Sequence, residues 1–188
     1  MKEIIVMGSG YGSNFQAIYE YFKDKPLTIK ALISDNPRAY IIERARLLNV
    51  RSVVLDYKSM GKEKYNEELL KVLSSLEPFN LIVLAGYMRI IPEFIVKKYW
   101  KKIINIHPSL LPAFKGLRAI ERAYNYGVKI TGITIHWVNE FVDEGEIIEQ
   151  VCIRIEENDN LETLESKIHE LEHYYYPRII ERILFHPK

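Results

Sequence analysis

Two short runs in the chain, Ile4-Ile5-Val6-Met7 and Leu81-Ile82-Val83-Leu84, contain no polar residue and lead straight into Gly8 and Ala85-Gly86. Four consecutive apolar residues bounded by turn signals read as a strand covered on both faces, as in a parallel sheet. Between such runs the pattern switches repeatedly to helical spacing. Phe15, Ile18, Tyr19 and Phe22 share one face of a helix predicted over 14–22. Strands follow over 29–34, 52–55, 80–85 and 103–106, separated by helices over 39–49, 62–75 and 92–99. This βαβαβα order predicts a mostly parallel, Rossmann-like twisted α/β sheet with helices on both faces.

The last third reads differently. A helix over 119–126 precedes strands over 132–138 and 147–155, so the sheet is expected to end in antiparallel strands. A long helix over 160–184 closes the chain, with Leu161, Leu164, Ile168, Leu171, Tyr175, Ile179 and Ile183 forming an apolar stripe at spacings of three and four. Asp159 and Asn160 supply its cap, and Pro177 is expected to kink it.

Composition sets outer limits on function. The 188 residues can bury a core without metal or disulfide staples and are expected to form one domain. A balance of 26 basic against 25 acidic residues argues against binding nucleic acid through bulk charge. The single cysteine, Cys152, excludes an internal disulfide framework and suits a reducing compartment. The start of the chain does not read as a secretory signal, and no apolar stretch approaches the ~20 residues that span a bilayer, so a cytoplasmic setting away from membranes is expected.

Three segments could carry chemistry. Gly8-Ser9-Gly10-Tyr11-Gly12-Ser13-Asn14 joins a strand to a helix, where free backbone N–H groups and the helix dipole favour an anion. Its glycine spacing fits neither the dinucleotide fingerprint nor a P-loop, which leaves one phosphate or a plain tight turn capped by Ser13 or Asn14. Asn105 and His107 lie two apart at the carboxyl end of a buried strand, so they share a face where open α/β sheets bind ligands. Two donors aimed at one point suit a developing oxyanion; the bland alternative is a core histidine satisfied by backbone. Asp143, in the loop Phe141-Val142-Asp143-Glu144-Gly145, is either a turn residue or a carboxylate that folds back to hold His107 protonated.

Other patterns weigh less. His169-Glu170-Leu171-Glu172-His173 matches the H-E-x-x-H zinc motif, yet only 15 residues follow it and Pro177 interrupts the helix, so no metal is expected. Ser109, His107 and Asp143 invite comparison with a hydrolytic triad, but no nucleophile elbow presents the serine. Lys97-Lys98-Tyr99-Trp100-Lys101-Lys102 reads as a solvated helix end.

Taken together, Gly12-Ser13-Asn14, Ala85-Gly86-Tyr87-Met88-Arg89-Ile90, Asn105-Ile106-His107-Pro108-Ser109-Leu110-Leu111-Pro112, Gly132 to His136, Asp143, Glu172-His173 and Tyr176-Pro177 make the chain resemble the folate-dependent formyltransferases from Gly10 to about Pro177. Within that family the likeness is to members that formylate glycinamide ribonucleotide in purine synthesis. The resemblance implies 10-formyltetrahydrofolate as cosubstrate, direct attack of the glycinamide amine on the formyl carbon, and a catalytic trio of Asn105, His107 and Asp143. It implies that Gly12, Ser13 and Asn14 hold the ribonucleotide phosphate and Glu172 the ribose hydroxyls. The folate would meet Lys62, Met88, Arg89, Ile90, Ile91 and Asn105, with Val138, Asn139, Glu140, Phe141, Val142 and Asp143 cupping the pteridine. Arg118 could assist the phosphate or play no part. The resemblance divides the single domain into a nucleotide- and phosphate-binding half, 1–100, and a catalytic and folate-binding half, 101–188. The expected partners are these small molecules alone, bound by a monomer or homodimer. Hydrolysis of the same formyl donor is the alternative. Formyl transfer to a tRNA is disfavoured because no basic nucleic-acid domain is expected, and a non-catalytic nucleotide module would not need the trio.

Overall fold

The computed structural model describes all 188 residues. In chain order the elements are β1 (Lys2–Met7), α1 (Ser13–Phe22), β2 (Leu27–Ser34), α2 (Tyr40–Leu47), β3 (Ser52–Val54), α3 (Tyr57–Met60), α4 (Lys62–Ser75), β4 (Leu81–Leu84), α5 (Glu93–Lys98), β5 (Ile103–His107), α6 (Ala119–Tyr126), β6 (Ile130–Trp137), β7 (Ile147–Arg154) and α7 (Leu161–Phe185). One seven-stranded sheet has the order β3-β2-β1-β4-β5-β6-β7. Its first five strands are mutually parallel, and β6 and β7 add antiparallel pairs, as the sequence predicts.

The apolar runs are buried on both faces. Ile4, Val6, Leu81 and Val83 belong to a core of 23 residues shared with α1, α2 and α7. Ile5, Met7, Ile82 and Leu84 point the other way, into a second core of 18 residues shared with α4 and α5. Period-two side-chain alternation thus explains why neither four-residue run contains a polar residue. Each such side chain contributes roughly 1.5–3 kcal/mol on leaving water.

The elements differ from the sequence reading mainly at their ends. β2 and β6 each begin two residues before the expected start, and the short α3, capped by the Asp56 carboxylate, was not foreseen. α2 stops at Leu47 because Asn49 turns left-handed (φ 56°) and the Val50 N–H reaches back to the Ala45 carbonyl. α7 passes through Pro177 as a single helix of 25 residues, its N-terminus held by a capping box between Asn160 and Thr163.

β1 has β2 on one side and β4 on the other, which opens a crevice beyond the carboxyl ends of β1 and β4. α7 is pinned beneath it. The fully buried Tyr176 hydroxyl donates to the Leu84 carbonyl at 2.7 Å and also approaches the Ile104 carbonyl at 3.3 Å. Tyr176→Phe is therefore expected to lower the unfolding free energy by about 1–2 kcal/mol, read as a lower urea midpoint at unchanged m-value.

Candidate active site

A cavity of about 520 Å³ lies over the carboxyl ends of β1, β4 and β5. One end is the turn into α1. Gly12 adopts φ 84°, and a Cβ there would stand 2.6 Å from the Ile41 side chain, so this position requires glycine. The Ile41 N–H donates to the Gly10 carbonyl, which ties α2 to the turn. No side chain caps α1, so its first N–H groups remain available to an anion. Gly12, Ser13, Asn14 and Glu172 all line this end, and Asn14 Nδ2 approaches Glu172 Oε2 at 3.5 Å.

The other end is built on β5. Antiparallel pairing sets Asn105 opposite His136 and His107 opposite Thr134. The Asp143 carboxylate folds back as the sequence reading allowed. Its Oδ2 lies 3.5 Å from His107 Nδ1 and accepts the Gly116 N–H at 2.8 Å. His107 Nε2 donates to the Phe114 carbonyl at 2.8 Å. Both ring nitrogens thus face acceptor oxygens, an arrangement only the doubly protonated ring satisfies on both sides. The loop over 113–118 is held in place by Lys115–Glu144 (2.8 Å) and by Arg122 bonds to the Lys115 and Leu117 carbonyls.

Sequence reasoning missed several of these partners. Phe114 and Gly116 act through backbone atoms, which no residue pattern reveals. His136 stood inside a quoted motif without a role. It is buried, its Nδ1 donates to the Trp137 carbonyl at 3.0 Å, and its Nε2 lies 3.4 Å from Asn105 Nδ2 and 3.9 Å from Asp143 Oδ1. Burial holds this ring below the ordinary histidine range; the Trp137 carbonyl and Asp143 pull upward without prevailing, and His107 adds to the lowering.

Along the β4 side, Met88, Arg89, Ile90 and Ile91 line the cavity, and Val138, Asn139, Phe141 and Val142 face them. Met88, Ile90, Phe141 and Val142 are largely exposed apolar side chains gathered at its rim. Arg89 Nε donates to the buried Asp35 carboxylate at 2.8 Å while its guanidinium stacks 3.9 Å over the Tyr57 ring. Two of the expected contacts do not reach the wall. Lys62 stands exposed on the first turn of α4, and Glu140 points to solvent from the loop after β6. Arg118 lines the cavity from a left-handed position preceding α6.

The competing motifs resolve physically. Ser109 is fully buried and its hydroxyl donates to the Ala113 carbonyl at 2.6 Å, so it presents no nucleophile. In the H-E-x-x-H segment Glu172 and His169 line the cavity, while His173 turns away with its Nε2 buried and unpartnered. No three His, Cys, Asp or Glu side chains converge on a metal-sized point. Lys97, Lys98 and Lys101 are engaged by Glu93, Glu77 and Glu146.

The formyl transferase family model matches residues 2–180. The chain belongs to the formyl transferase family. It is 45% identical over 186 residues to the phosphoribosylglycinamide formyltransferase of Bacillus subtilis (strain 168), covering 98% of this chain and 95% of that one. The Haemophilus influenzae phosphoribosylglycinamide formyltransferase is 37% identical over 184 residues, covering 96% and 86%. The crystal structure of phosphoribosylglycinamide formyltransferase from Bacillus halodurans superposes with a TM-score of 0.92 at 40% identity, covering 100% of this chain and 97% of the other.

One acid in this formyl transferase cleft is unusual. Glu172 is 8% exposed, and burial pushes its carboxyl up to about 7 from 4.5, with the Asn14 amide opposing weakly. The folded chain therefore holds this proton more tightly than the unfolded chain does. The group's contribution is most favourable below pH 4.5, declines as the unfolded chain ionises first, and levels off above about 7. The span is about 3 kcal/mol. In the ligand-free protein, Glu172→Gln is expected to remove that slope, so its stability relative to wild type rises by this order between pH 4.5 and 8, as paired denaturant titrations would show.

Proposed function

We propose that the protein transfers the formyl group of 10-formyltetrahydrofolate to the amino group of glycinamide ribonucleotide. The observation that carries this reading is the single cleft with two chemically distinct ends. Free N–H groups at Gly12–Asn14 suit a phosphate, and Asn105, His107 and Asp143 meet at the other end. Glu172, titrating near 7, can both accept from and donate to the vicinal hydroxyls of a ribose. The apolar rim of Met88, Ile90, Phe141 and Val142 suits the flat rings of a folate, and Arg89 its acidic tail. Lys62 lies outside the cavity, where only an extended tail would meet it. In this division residues 1–100 contribute the phosphate turn and residues 101–188 the reacting side chains.

The chemistry follows from the arrangement. The glycinamide nitrogen attacks the formyl carbon, a C–N bond forms, and the carbonyl oxygen becomes an oxyanion. An Asn105 N–H donates to that oxygen while the positive charge of His107, held by Asp143, stabilises it electrostatically. Collapse breaks the bond to folate N10, and the proton lost by the attacking amine ends on N10. Asp143, with one oxygen anchored by Gly116, assists that movement through water. Positioning of the two bound molecules supplies much of the rate. The names of the relatives favour transfer over hydrolysis of the donor. The lone cysteine suits an enzyme of the reducing cytoplasm.

The test is donor consumption with and without glycinamide ribonucleotide. Turnover is expected only with the amine; equal formate release in its absence would establish a hydrolase instead. His107→Ala and Asp143→Asn are each expected to lower kcat by about 10²–10⁴-fold with folded-state spectra unchanged. A near-normal rate in either would remove that residue from the mechanism.

A further inference from the structure

A carboxamide that stabilises an oxyanion must present its N–H end. Rotated by half a turn, Asn105 would set its carbonyl oxygen against the developing negative charge. The backbone does not choose between these orientations, so a neighbour has to. His136 stands directly across the β5–β6 ladder from Asn105, with Nε2 at 3.4 Å from Nδ2. Its Nδ1 is 3.0 Å from the Trp137 carbonyl, which can only accept, so the ring hydrogen resides on Nδ1. In the neutral ring Nε2 then carries a lone pair, and only the N–H end of Asn105 can face it.

We infer that His136 is a positioning residue: its Nδ1–H tautomer engages one N–H of Asn105 and leaves the other directed to the acyl oxygen. The inference rests on the formyl-transfer reading for what the second N–H meets. The charged or titrating groups facing the ring are Asp143, 3.9 Å from Nε2, and His107 on the neighbouring strand. Burial keeps the ring neutral against the Asp143 carboxylate. Protonation at Nε2 would turn the acceptor into a donor and reverse the preference of Asn105.

Two readouts test this. In ring-¹⁵N NMR of the full-length protein, His136 is expected to show a protonated Nδ1 and a bare Nε2 at about pH 7; an Nε2–H or doubly protonated ring overturns the inference. In kinetics, His136→Leu is expected to lower kcat by about 10- to 100-fold, less than the ~10²–10³-fold typical for outright loss of an oxyanion donor. KM for both substrates should stay within about threefold. His136→Gln, whose Oε1 can accept from Asn105, should recover most of kcat. A Leu variant as fast as wild type, or a Gln variant no faster than Leu, overturns it. Should the Leu variant fail to fold, the NMR tautomer and the Gln variant decide. Wild-type protein that turns over neither substrate would sink the function reading instead, and the tautomer measurement does not depend on it.

Discussion

Everything at the β5 end of the cleft depends on the register between β5 and β6. Asn105 meets His136 and His107 meets Thr134 only in this one antiparallel alignment, and a slip of one residue would turn each side chain to the opposite face. The alignment is fixed by a saturated hydroxyl. Thr134 Oγ1 donates to the Ser109 carbonyl at 2.7 Å and accepts the Leu111 N–H and a Gln150 amide hydrogen, both at 3.0 Å. The turn after His107 is thereby fastened to β6, and Gln150 extends the link to β7. Two antiparallel strands appended to a parallel sheet thus place a carboxamide, an imidazole and a carboxylate around one point.

The α1 end of the cleft presents backbone N–H groups where an anion would sit. Half of the chain's 26 lysine and arginine side chains are paired with carboxylates, mostly at the surface, where such pairs contribute little to stability. The α1 end offers helix N–H groups, and the one acid beside it, Glu172, is buried deeply enough to be largely uncharged below neutral pH. A full carboxylate there would repel an anion. Burial resolves the conflict by shifting the proton equilibrium, at a cost to the stability of the ligand-free fold that bound ligand would offset.

Much of the fold was legible because it follows from burial. Apolar runs of four dictated the parallel strands, and the stripe in α7 dictated its docking on α1. Element ends were less legible, since they are set by single left-handed residues such as Asn49 and by long-range pairing at Leu27 and Ile130. In the site, the side chains proposed to do the work, Asn105, His107, Asp143 and Glu172, could be named from position and resemblance. The contacts that hold them could not. The Phe114 carbonyl and the Gly116 N–H are common to every residue type, and only their placement by the 113–118 loop gives them meaning. Lys62 illustrates the converse: a residue aligned by resemblance stands exposed at the start of α4, outside the cavity lined by Met88 to Ile91.

The central claim is that one cleft holds an anion at the α1 turn and an acyl group at β5. A crystal structure with glycinamide ribonucleotide and a formyl-donor analogue unable to transfer tests it most directly. The phosphate should accept N–H groups of the Gly12–Asn14 turn, and the acyl oxygen should lie within hydrogen-bond distance of Asn105 Nδ2, close to His107. A phosphate bound elsewhere, or an acyl oxygen remote from Asn105 and His107, would contradict the account.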